Sequence, residues 1–352
     1  MPYDDNLYKI HKPLIGVDIG FNSIKIVQLS KGDVPSLLAY NILPTPPRVI
    51  ASVNEQDKQR VIAAIRDSLA KARPRKIKTN LAISGLPESK VFTKILQMPN
   101  LTPEEMIEAV PHEANRQIPL AIEQTYLDWQ PLNLNTDRTQ EILVVVAPKN
   151  LVDLYLQMFT AVGLNLIALE TKPIAAVRAL IRPQEPEASL IVDIGAEATG
   201  IIVYDLNTIK FTYTIPHGAN AFTKTIAYAM KISEQEAEKL KRQTGFKKDS
   251  KKGNEILESI KPAMQDIIDE IGNAKKYYEN RSKPPRKIQK IKLTGGGAYT
   301  PGIVEYISQS VNLKTELGNP LINVAEHSLG DFPRNEVLRF TTAFGLALRE
   351  NY

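Results

Sequence analysis

A four-residue pattern occurs twice in this chain, and its spacing restricts the fold more than any other feature. Val17-Asp-Ile-Gly20 returns as Val192-Asp-Ile-Gly195, so Asp18 and Asp193 lie 175 positions apart (193 − 18) in a chain of 352 residues. Apolar residues precede each copy, and a second apolar run follows it. A strand, a tight glycine turn and a returning strand produce this pattern. The repeat predicts two similar halves that each open with a β-hairpin.

Helix and strand patterns alternate along the rest of the chain. Thr102-Pro-Glu-Glu105 is a capping box with proline in the first helical position, and it predicts a helix that Pro111 should kink or restart. Asn150 is expected to cap a later helix. The segment Arg182–Glu187, rich in proline and glutamate, is expected to link the halves. These patterns predict an α/β protein with mixed sheets in two similar domains.

Composition excludes several kinds of site. The chain has no cysteine, which excludes disulfides, zinc–thiolate sites and a cysteine nucleophile. No apolar run reaches the ~20 residues of a membrane-spanning helix, and the N-terminus lacks the basic and apolar regions of a signal peptide. A cytoplasmic protein is therefore expected. The histidines are scattered without the spacing of metal ligands; they are His11, His112, His217 and His327.

The net charge of +5 would permit binding to nucleic acid or to a membrane surface. The basic residues cluster in 239–252 and 281–292, where acidic residues are mixed with them and no stacking aromatics are interleaved. This pattern is typical of solvated helix faces and loops. No nucleic-acid partner is expected.

Glycine turns at strand ends can bind phosphate, because backbone N–H groups there are not covered by a Cβ atom. Bound Mg²⁺ needs carboxylates nearby, and each Asp-x-Gly turn supplies one. We therefore expect Asp18 and Asp193 to face each other across a cleft as metal-associated acids. The predicted phosphate-binding residues are Gly20, Asn22, Ser23 and Lys25 in the first half, and Gly195 and Thr199 in the second.

A third glycine motif, Gly295-Gly296-Gly297, follows a predicted strand late in the chain. Three glycines allow a planar ring or a phosphate to approach the backbone closely, but a simple tight connection explains them equally well. The chain contains neither a Walker A loop nor a Rossmann fingerprint. The two hairpins and this motif together are a stronger signal than any one of them.

These motifs resemble the phosphate and adenosine motifs of the actin, Hsp70 and sugar-kinase ATPase superfamily. Almost the whole chain is similar to the PilM family, actin-like proteins of type IV pilus assembly. The markers fall in family order over residues 14–349; they are Ile95–Glu105, Glu113–Pro119, Tyr126–Gln130, Ala147–Asn150, Lys172–Leu180, Ala237–Lys241 and Ala343–Arg349.

The resemblance implies two actin-like (RNase H-like) domains around a nucleotide cleft. Domain I would comprise residues 14–185 and 338–352 after an N-terminal extension of residues 1–13. It would carry an inserted subdomain of the FtsA and PilM type at about 86–163. Domain II would comprise residues 186–337, with a helical outgrowth at about 227–285.

The resemblance also implies ATP and Mg²⁺ as ligands. Glu238 and Lys241 match a helix that contacts ribose and adenine, although solvated charges on an exposed helix remain the alternative. Gly218 matches a glycine near the phosphates. Lys172, before Pro173, stands where the superfamily often has a water-orienting Glu or Gln, and Glu170 lies two positions earlier. Nucleotide binding with weak or absent hydrolysis is therefore expected.

The implied partner is the short cytoplasmic N-terminal segment of PilN, bound between domain I and the inserted subdomain. Other inner-membrane pilus components and motor ATPases are further implied partners. The protein would reach the inner face of the membrane only through partners, and a homo-oligomer is possible. Nucleotide would modulate partner binding by holding the domains closed.

Two alternatives belong to the same superfamily. An FtsA-like filament protein carries a C-terminal basic amphipathic membrane helix, whereas this sequence stops at Leu348–Tyr352, right after the last predicted core element. A small-molecule kinase needs a carboxylate base directed at a substrate hydroxyl, and no convincing candidate lies near the connecting region.

Overall fold

The computed structural model describes residues 13–46, 55–132, 139–248, 250–282 and 285–349. His11 and most of the expected N-terminal extension lie outside these residues. The described chain divides into two compact units. Unit 1 contains residues up to Ala175, with Val324–Leu329 and the residues from Leu346 onward, and unit 2 contains Ala176–Asn323 and Gly330–Gly345. The limits of the actin-like domains given above stay a prediction.

The first part of the chain, up to the helix that crosses the unit boundary, contains nine strands and four α-helices among its described residues. In chain order they are β1 (Ile15–Ile19), β2 (Ser23–Leu29), β3 (Leu37–Pro44), α1 (Glu55–Ala70), β4 (Arg73–Pro74), β5 (Leu81–Leu86), β6 (Phe92–Pro99), α2 (Pro103–Gln117), β7 (Thr125–Leu132), β8 (Thr139–Pro148), α3 (Lys149–Ala161), β9 (Asn165–Thr171) and α4 (Lys172–Leu180).

The remaining elements alternate in the same way. They are β10 (Ser189–Ile194), β11 (Thr199–Asp205), β12 (Thr208–Ile215), α5 (Ala219–Met230), α6 (Glu234–Gln243), α7 (Lys251–Arg281), β13 (Lys290–Thr294), α8 (Ile303–Val311), β14 (Lys314–Leu317) and α9 (Thr341–Ala347).

The two large sheets repeat one strand order. In unit 1 the order is β4-β3-β2-β1-β5-β9, and in unit 2 it is β12-β11-β10-β13-β14. In each sheet the first three sequential strands form an antiparallel meander, and the strands after the hairpin run parallel to its first strand. Leaving out the two-residue β4, the sheets have the same order and directions. The prediction of two similar halves, each opening with a hairpin, is confirmed.

Helices cover these sheets with apolar faces. In unit 1, Val61 and Ile65 of α1 and Tyr155 and Phe159 of α3 pack on the fully buried strands β1 and β2. Burial of a side chain such as Phe159 contributes about 1.5–3 kcal/mol. In unit 2 the 31-residue α7 buries a continuous stripe. That stripe recurs every three or four residues, as expected for one helix face, and it places much of the predicted 227–285 outgrowth in the core.

A small sheet is inserted between β5 and α3. Its strand order is β6-β8-β7, all antiparallel, and α2 packs on it through Met106, Val110 and Ala114. The Thr102–Glu105 capping box forms as predicted. We call β6, α2, β7 and β8 the insert. The helix α3 lies within the predicted 86–163 subdomain, but its buried side chains belong to the core of the large sheet.

One local prediction about helices is wrong, and another is wrong in one of its two outcomes. Pro111 does not restart the helix, because α2 runs through it from Pro103 to Gln117, and the kink expected there stays a prediction. Its apolar face continues on both sides of the proline, and that packing outweighs the backbone hydrogen bond that proline cannot make. Asn150 does not cap α3. The N-cap is Pro148, because β8 extends to that residue and Asn150 already lies in the first helical turn.

Candidate functional site

Parallel strands bring their carboxyl ends to one edge of a sheet, where open α/β sheets bind ligands. In unit 1, β1 and β9 flank β5 in parallel, so Asp18, Thr171 and the start of α4 approach the same edge. In unit 2, Asp193 of β10 pairs in register with Thr294 of β13. Each predicted Asp-x-Gly turn therefore lies at the edge where a ligand is expected.

Asp18 is buried and bound by two lysines. Lys25 lies opposite it in the β1–β2 register, and its Nζ donates to Asp18 Oδ2 at 2.9 Å. Lys172, the first residue of α4, donates from Nζ to Asp18 Oδ1 at 2.8 Å. Lys25 was predicted as a phosphate-binding residue; it is buried against Asp18. The pairing of Lys172 with Asp18 was not foreseen, since no local pattern links residues 154 positions apart.

These charges set the protonation of the cluster. Burial opposes ionisation of Asp18, but Lys172 and Lys25 outweigh it and hold the pKa of this carboxyl well below its ordinary value. Burial, assisted by the Asp18 charge, raises the pKa of the Tyr155 hydroxyl. At neutral pH Asp18 is therefore a carboxylate and Tyr155 is a neutral phenol.

The first glycine turn is closely packed. Gly20 N–H donates to Ser23 O at 3.0 Å, and Thr45 Oγ1 donates to Gly20 O at 2.7 Å. A Cβ on Gly20 would lie 2.8 Å from Lys25 Nζ and 2.9 Å from Ser23 O. Thr45 N–H also donates to Asn22 O at 3.1 Å. The predicted residues of this turn lie together, and Thr45 is a residue that the sequence patterns missed.

The surroundings of the Asp18 carboxylate do not fit a Mg²⁺ ion. Both carboxylate oxygens accept from ammonium groups, whereas Mg²⁺ requires oxygen ligands and keeps several waters. Among the residues that the structure describes, no group of three or more acidic or histidine side chains is arranged to hold a metal. A metal role for Asp18 and Asp193 stays a prediction, and the geometry at Asp18 does not favour it.

In unit 2, the second glycine turn is held by the start of α5. Ala219 N–H donates to Gly195 O at 2.9 Å, and Asn220 N–H donates to Ala196 O at 2.8 Å. A Cβ on Gly218 would lie 2.6 Å from Ala196 O. Thr199 Oγ1 donates to His217 O at 2.8 Å. The predicted residues Gly195, Thr199 and Gly218 therefore belong to one packed turn.

The triple-glycine motif lies directly against this hairpin. Gly295 has φ +80° and ψ 173°, and a Cβ there would overlap the Asp193 carboxylate and lie 2.5 Å from Ile194 O. A Cβ on Gly297 would overlap the Ile194 side chain, whereas one on Gly296 would meet no atom within 4 Å. Close packing therefore requires glycine at positions 295 and 297, whereas a side chain at position 296 would enter open space.

Lys241 is buried, so the alternative of solvated charges on an exposed helix is wrong for it. It is 5% exposed, and its Nζ donates to Ala219 O at 3.0 Å, to Thr223 Oγ1 at 2.8 Å and to Glu238 Oε2 at 2.6 Å. These contacts join α6 to α5. A nucleotide role for Glu238 and Lys241 stays a prediction, and Thr223 is a further member of the cluster that sequence reasoning missed.

We expect Lys241→Met to raise the pKa of Glu238. Burial of Glu238 is outweighed by bonds from Lys241, Thr223 and Arg242, which lower its pKa to about 2. Removing the Lys241 ammonium should bring the value toward the ordinary ~4.3 of a glutamate. Carboxyl ¹³C shifts recorded against pH measure it. Arg242→Met, at an exposed partner, is the matched control and should shift it less; equal shifts would contradict the assignment.

Glu170 lies two positions before Lys172, and its carboxylate is held within the fold. Its carboxylate is buried, and Arg349 Nη1 pairs with Glu170 Oε1 at 2.8 Å. Lys172 is paired with Asp18. The expectation of weak or absent hydrolysis stays a prediction.

The family profile described as "Type IV pilus assembly protein PilM" matches residues 16–351. The fold of the whole chain is similar to that in a solved PilM–PilN type IV pilus biogenesis complex, with a TM-score of 0.83, 25% identity and coverage of 96% of this chain and 98% of that one. MreB 5 of Spiroplasma citri bound to AMPPNP shares the fold alone, with a TM-score of 0.55, 15% identity and coverage of 95% and 94%.

Curated relatives include cell division protein FtsA. The Neisseria meningitidis serogroup B protein is 26% identical over 206 residues, which are 52% of this chain and 48% of FtsA. The Borreliella burgdorferi protein is 28% identical over 203 residues, covering 50% and 46%. The chain thus spans about half the length of the curated relatives it matches.

The family profile covers nearly the whole sequence. The structure agrees with this match in its repeated sheet order, its two glycine turns and its insert. The expected actin-like fold is confirmed by the solved structures. The chain belongs to the PilM family of type IV pilus assembly proteins.

Proposed function

We propose that this chain is an actin-like, ATP-binding scaffold of type IV pilus assembly that binds the N-terminal cytoplasmic segment of PilN. The observation that carries the proposal is the similarity of this chain to the solved PilM–PilN complex, at 25% identity and with coverage of 98% of the matched chain. In the described part of the chain, no helix combines the length and hydropathy needed to cross a membrane. Attachment to the inner face of the membrane through partners, and contact with other pilus components and motor ATPases, are part of this proposal.

ATP is the proposed ligand of the glycine turns. Gly20–Lys25 and Gly195–Thr199 would hold the phosphates, Gly218 would shape the second turn, and Gly295–Gly297 would lie against the adenosine. Glu238 and Lys241 would support the ribose and adenine side by joining α6 to α5. The likeness of fold to MreB bound to AMPPNP supports a nucleotide in this kind of structure.

Hydrolysis is proposed to be slow. The carboxylate of Glu170 is paired with Arg349. Lys172 stands where the superfamily often has a water-orienting Glu or Gln, and it is paired with Asp18. A water-orienting residue is part of what makes hydrolysis fast. Steady-state phosphate release from ATP by the purified chain is expected to stay well below about 1 s⁻¹, the lower end for kinases. Turnover of about 1 s⁻¹ or faster without partners would contradict this proposal.

The proposed PilN surface lies where the insert meets α3. Tyr126 on β7 is 47% exposed and Leu156 on α3 is 41% exposed. Tyr126 Oη donates to Asp153 Oδ1 at 3.2 Å, and Lys149 Nζ lies 5.8 Å from the centre of its ring. Strand β7 is an edge of the small sheet. An extended peptide can pair with such an edge while placing side chains on the neighbouring apolar groups.

We expect Tyr126→Ala and Leu156→Asp each to weaken binding of a PilN N-terminal peptide by about tenfold or more, as for an exposed apolar anchor worth at least 1.4 kcal/mol. Fluorescence anisotropy with labelled peptide and the full chain measures this. Tyr228→Ala is the matched control, because Tyr228 is 89% exposed on α5 of unit 2. Unchanged affinity in both test variants would place the peptide elsewhere.

The proposed coupling to nucleotide is tested with the same peptide. Its affinity is measured with and without ATP, and a difference is expected if nucleotide shifts the population of binding-competent protein. Equal affinities would leave the scaffold role intact but would contradict the coupling.

An FtsA-like filament protein is the second candidate, favoured by sequence identity of 26% with FtsA over half of this chain. Sedimentation of the purified chain with ATP distinguishes the two. Polymers that sediment only with nucleotide would favour the filament. Protein that does not polymerise and still binds the PilN peptide would favour the scaffold.

A further inference from the structure

A dense set of positive charges lies on the surface of unit 1, in the segment 71–78 between α1 and β5, which we call the basic run. Five of its eight residues are lysine or arginine and none is acidic. All five basic side chains are exposed; they belong to Lys71, Arg73, Arg75, Lys76 and Lys78. Their excess of five positive charges equals the net charge of the whole chain, +5, so the remaining sequence is neutral overall.

Ion pairing distinguishes the basic run from the other segment that is rich in cations and lacks acids, 281–292. In that segment, Arg286 pairs with the buried Asp205, and Lys290 pairs with Glu185. The fold itself therefore neutralises much of the positive charge of 281–292. A cation without such a partner has to be neutralised by solvent ions or by a ligand.

Local contacts account for two cations of the basic run. Lys71 pairs with Asp67 at 2.8 Å, one turn back at the end of α1. The guanidinium of Arg73 lies 5.3 Å from the centre of the Tyr40 ring, and the two residues are paired between β4 and β3. These contacts fix the start of the run at the edge of the large sheet.

The other three cations, Arg75, Lys76 and Lys78, have no such contact. Within the described ranges of the chain, no carboxylate forms an ion pair with any of them. The dipole of a helix favours cations only in its last turn, and α1 ends at Ala70. Like charges at such short spacing repel each other, so these residues do not stabilise the fold. Their placement points to a negatively charged ligand outside the chain.

The basic run lies at the opposite end of the strands from the glycine turns. It precedes β5, which runs parallel to β1 with Ala82 beside Ile15. Asp18 follows at the carboxyl end of β1, beyond most of the six residues of β5, which span roughly 16 Å. The cations of the run therefore do not serve phosphates at the Asp18 edge.

The surroundings of the basic run favour one kind of ligand. Between residues 55 and 80, all of which the structure describes, no large apolar side chain is exposed, whereas protein partners bind mainly through buried apolar or aromatic anchors. Single-stranded nucleic acid needs aromatic rings on which bases stack, and Tyr40 is buried. The headgroups of anionic lipids present a diffuse negative surface that attracts clustered cations without such anchors.

We propose that Arg75, Lys76 and Lys78 bind the basic run to the anionic headgroups of a lipid bilayer. This contact goes beyond the proposed function, in which partners bring the chain to the membrane, and the choice of a bilayer over other polyanions rests on that proposed location. A partner that holds the chain near the membrane raises the effective concentration of headgroups at the run. A weak electrostatic contact then adds to the attachment through partners.

The test is co-sedimentation of the full chain with vesicles of phosphatidylcholine, either alone or mixed with about one third phosphatidylglycerol. The wild type should bind only the mixed vesicles. Each cation near such a surface contributes about fivefold in affinity, so the triple variant Arg75→Gln, Lys76→Gln, Lys78→Gln should bind about a hundredfold more weakly. Absence of wild-type binding, or equal binding to both kinds of vesicle, would overturn the proposal.

The matched control is the triple variant Lys248→Gln, Lys251→Gln, Lys252→Gln, which removes the same charge from exposed positions in unit 2. It should lose less than about fivefold. Equal losses in the two variants would show that net charge alone drives binding, and would overturn the assignment to the basic run.

Two further measurements use the same proteins. Raising the salt concentration should release the wild type from the mixed vesicles, because exposed charges are screened; binding that resists salt would contradict an electrostatic contact. A labelled DNA duplex that binds through the basic run, without binding to vesicles, would overturn the proposal in favour of nucleic acid. The vesicle assay contains neither PilN peptide nor nucleotide, so failure of the proposed function leaves its result interpretable.

Discussion

Gly295→Ala is expected to destabilise unit 2 by about 2–4 kcal/mol. With φ +80° and ψ 173°, Gly295 occupies a backbone region that is almost restricted to glycine, at a cost of about 1–3 kcal/mol for other residues. The added methyl group would also overlap the Asp193 carboxylate and lie 2.5 Å from Ile194 O. Such overpacking costs about 1–3 kcal/mol. Relief would require β10 and β13 to separate at the predicted nucleotide edge.

Gly296→Ala is the matched control for this change. Its Cβ would meet no atom within 4 Å, so an effect below about 0.5 kcal/mol is expected. Thermal unfolding should show a melting temperature about 2–4 °C lower per kcal/mol for a unit of this size. Hydrogen exchange of β10 and β13 assigns the loss to unit 2. Equal melting temperatures for the two variants would contradict the close packing of Gly295 on Asp193.

Asp18→Asn is expected to destabilise the chain by about 3 kcal/mol or more, because two ammonium groups would lose their carboxylate. Breaking a buried ion pair by removing one partner typically costs about 3–5 kcal/mol. Guanidinium unfolding of the full chain measures the loss. Asp67→Asn is the matched control, since Asp67 pairs with Lys71 at 2.8 Å on the surface, and such pairs contribute about 0–1 kcal/mol. A similar small loss for both variants would contradict the buried pairing.

The same carboxylate predicts an acid-dependent loss of stability. The pKa of Asp18 in the folded chain is depressed, with burial outweighed by Lys172 and Lys25. Its contribution is therefore fully present above the unfolded pKa of about 3.9 and is lost as the pH falls below it toward the folded pKa. Unfolding free energies measured at decreasing pH should fall less steeply below about pH 4 in Asp18→Asn than in the wild type. Equal slopes would contradict this.

The fold was largely predictable because its main signals are local. Each β-hairpin is encoded by neighbouring residues, an apolar strand, an Asp-x-Gly turn and a second apolar strand, and both hairpins form. The capping box at Thr102 also depends on residues three positions apart. Local patterns failed where packing decided the outcome, as with the restart expected at Pro111, which the continuous apolar face of α2 prevents.

The sequence by itself therefore determined the two-fold repeat, the strand-end glycines and the family. Only the tertiary structure decided how the charged residues pair. Lys172 binds Asp18 across 154 positions, Glu170 binds Arg349, and Lys241 is buried between two helices. A charged residue whose partner lies far along the chain carries no local sign of it, because such a pair depends on which distant segments the packed core brings within bonding distance.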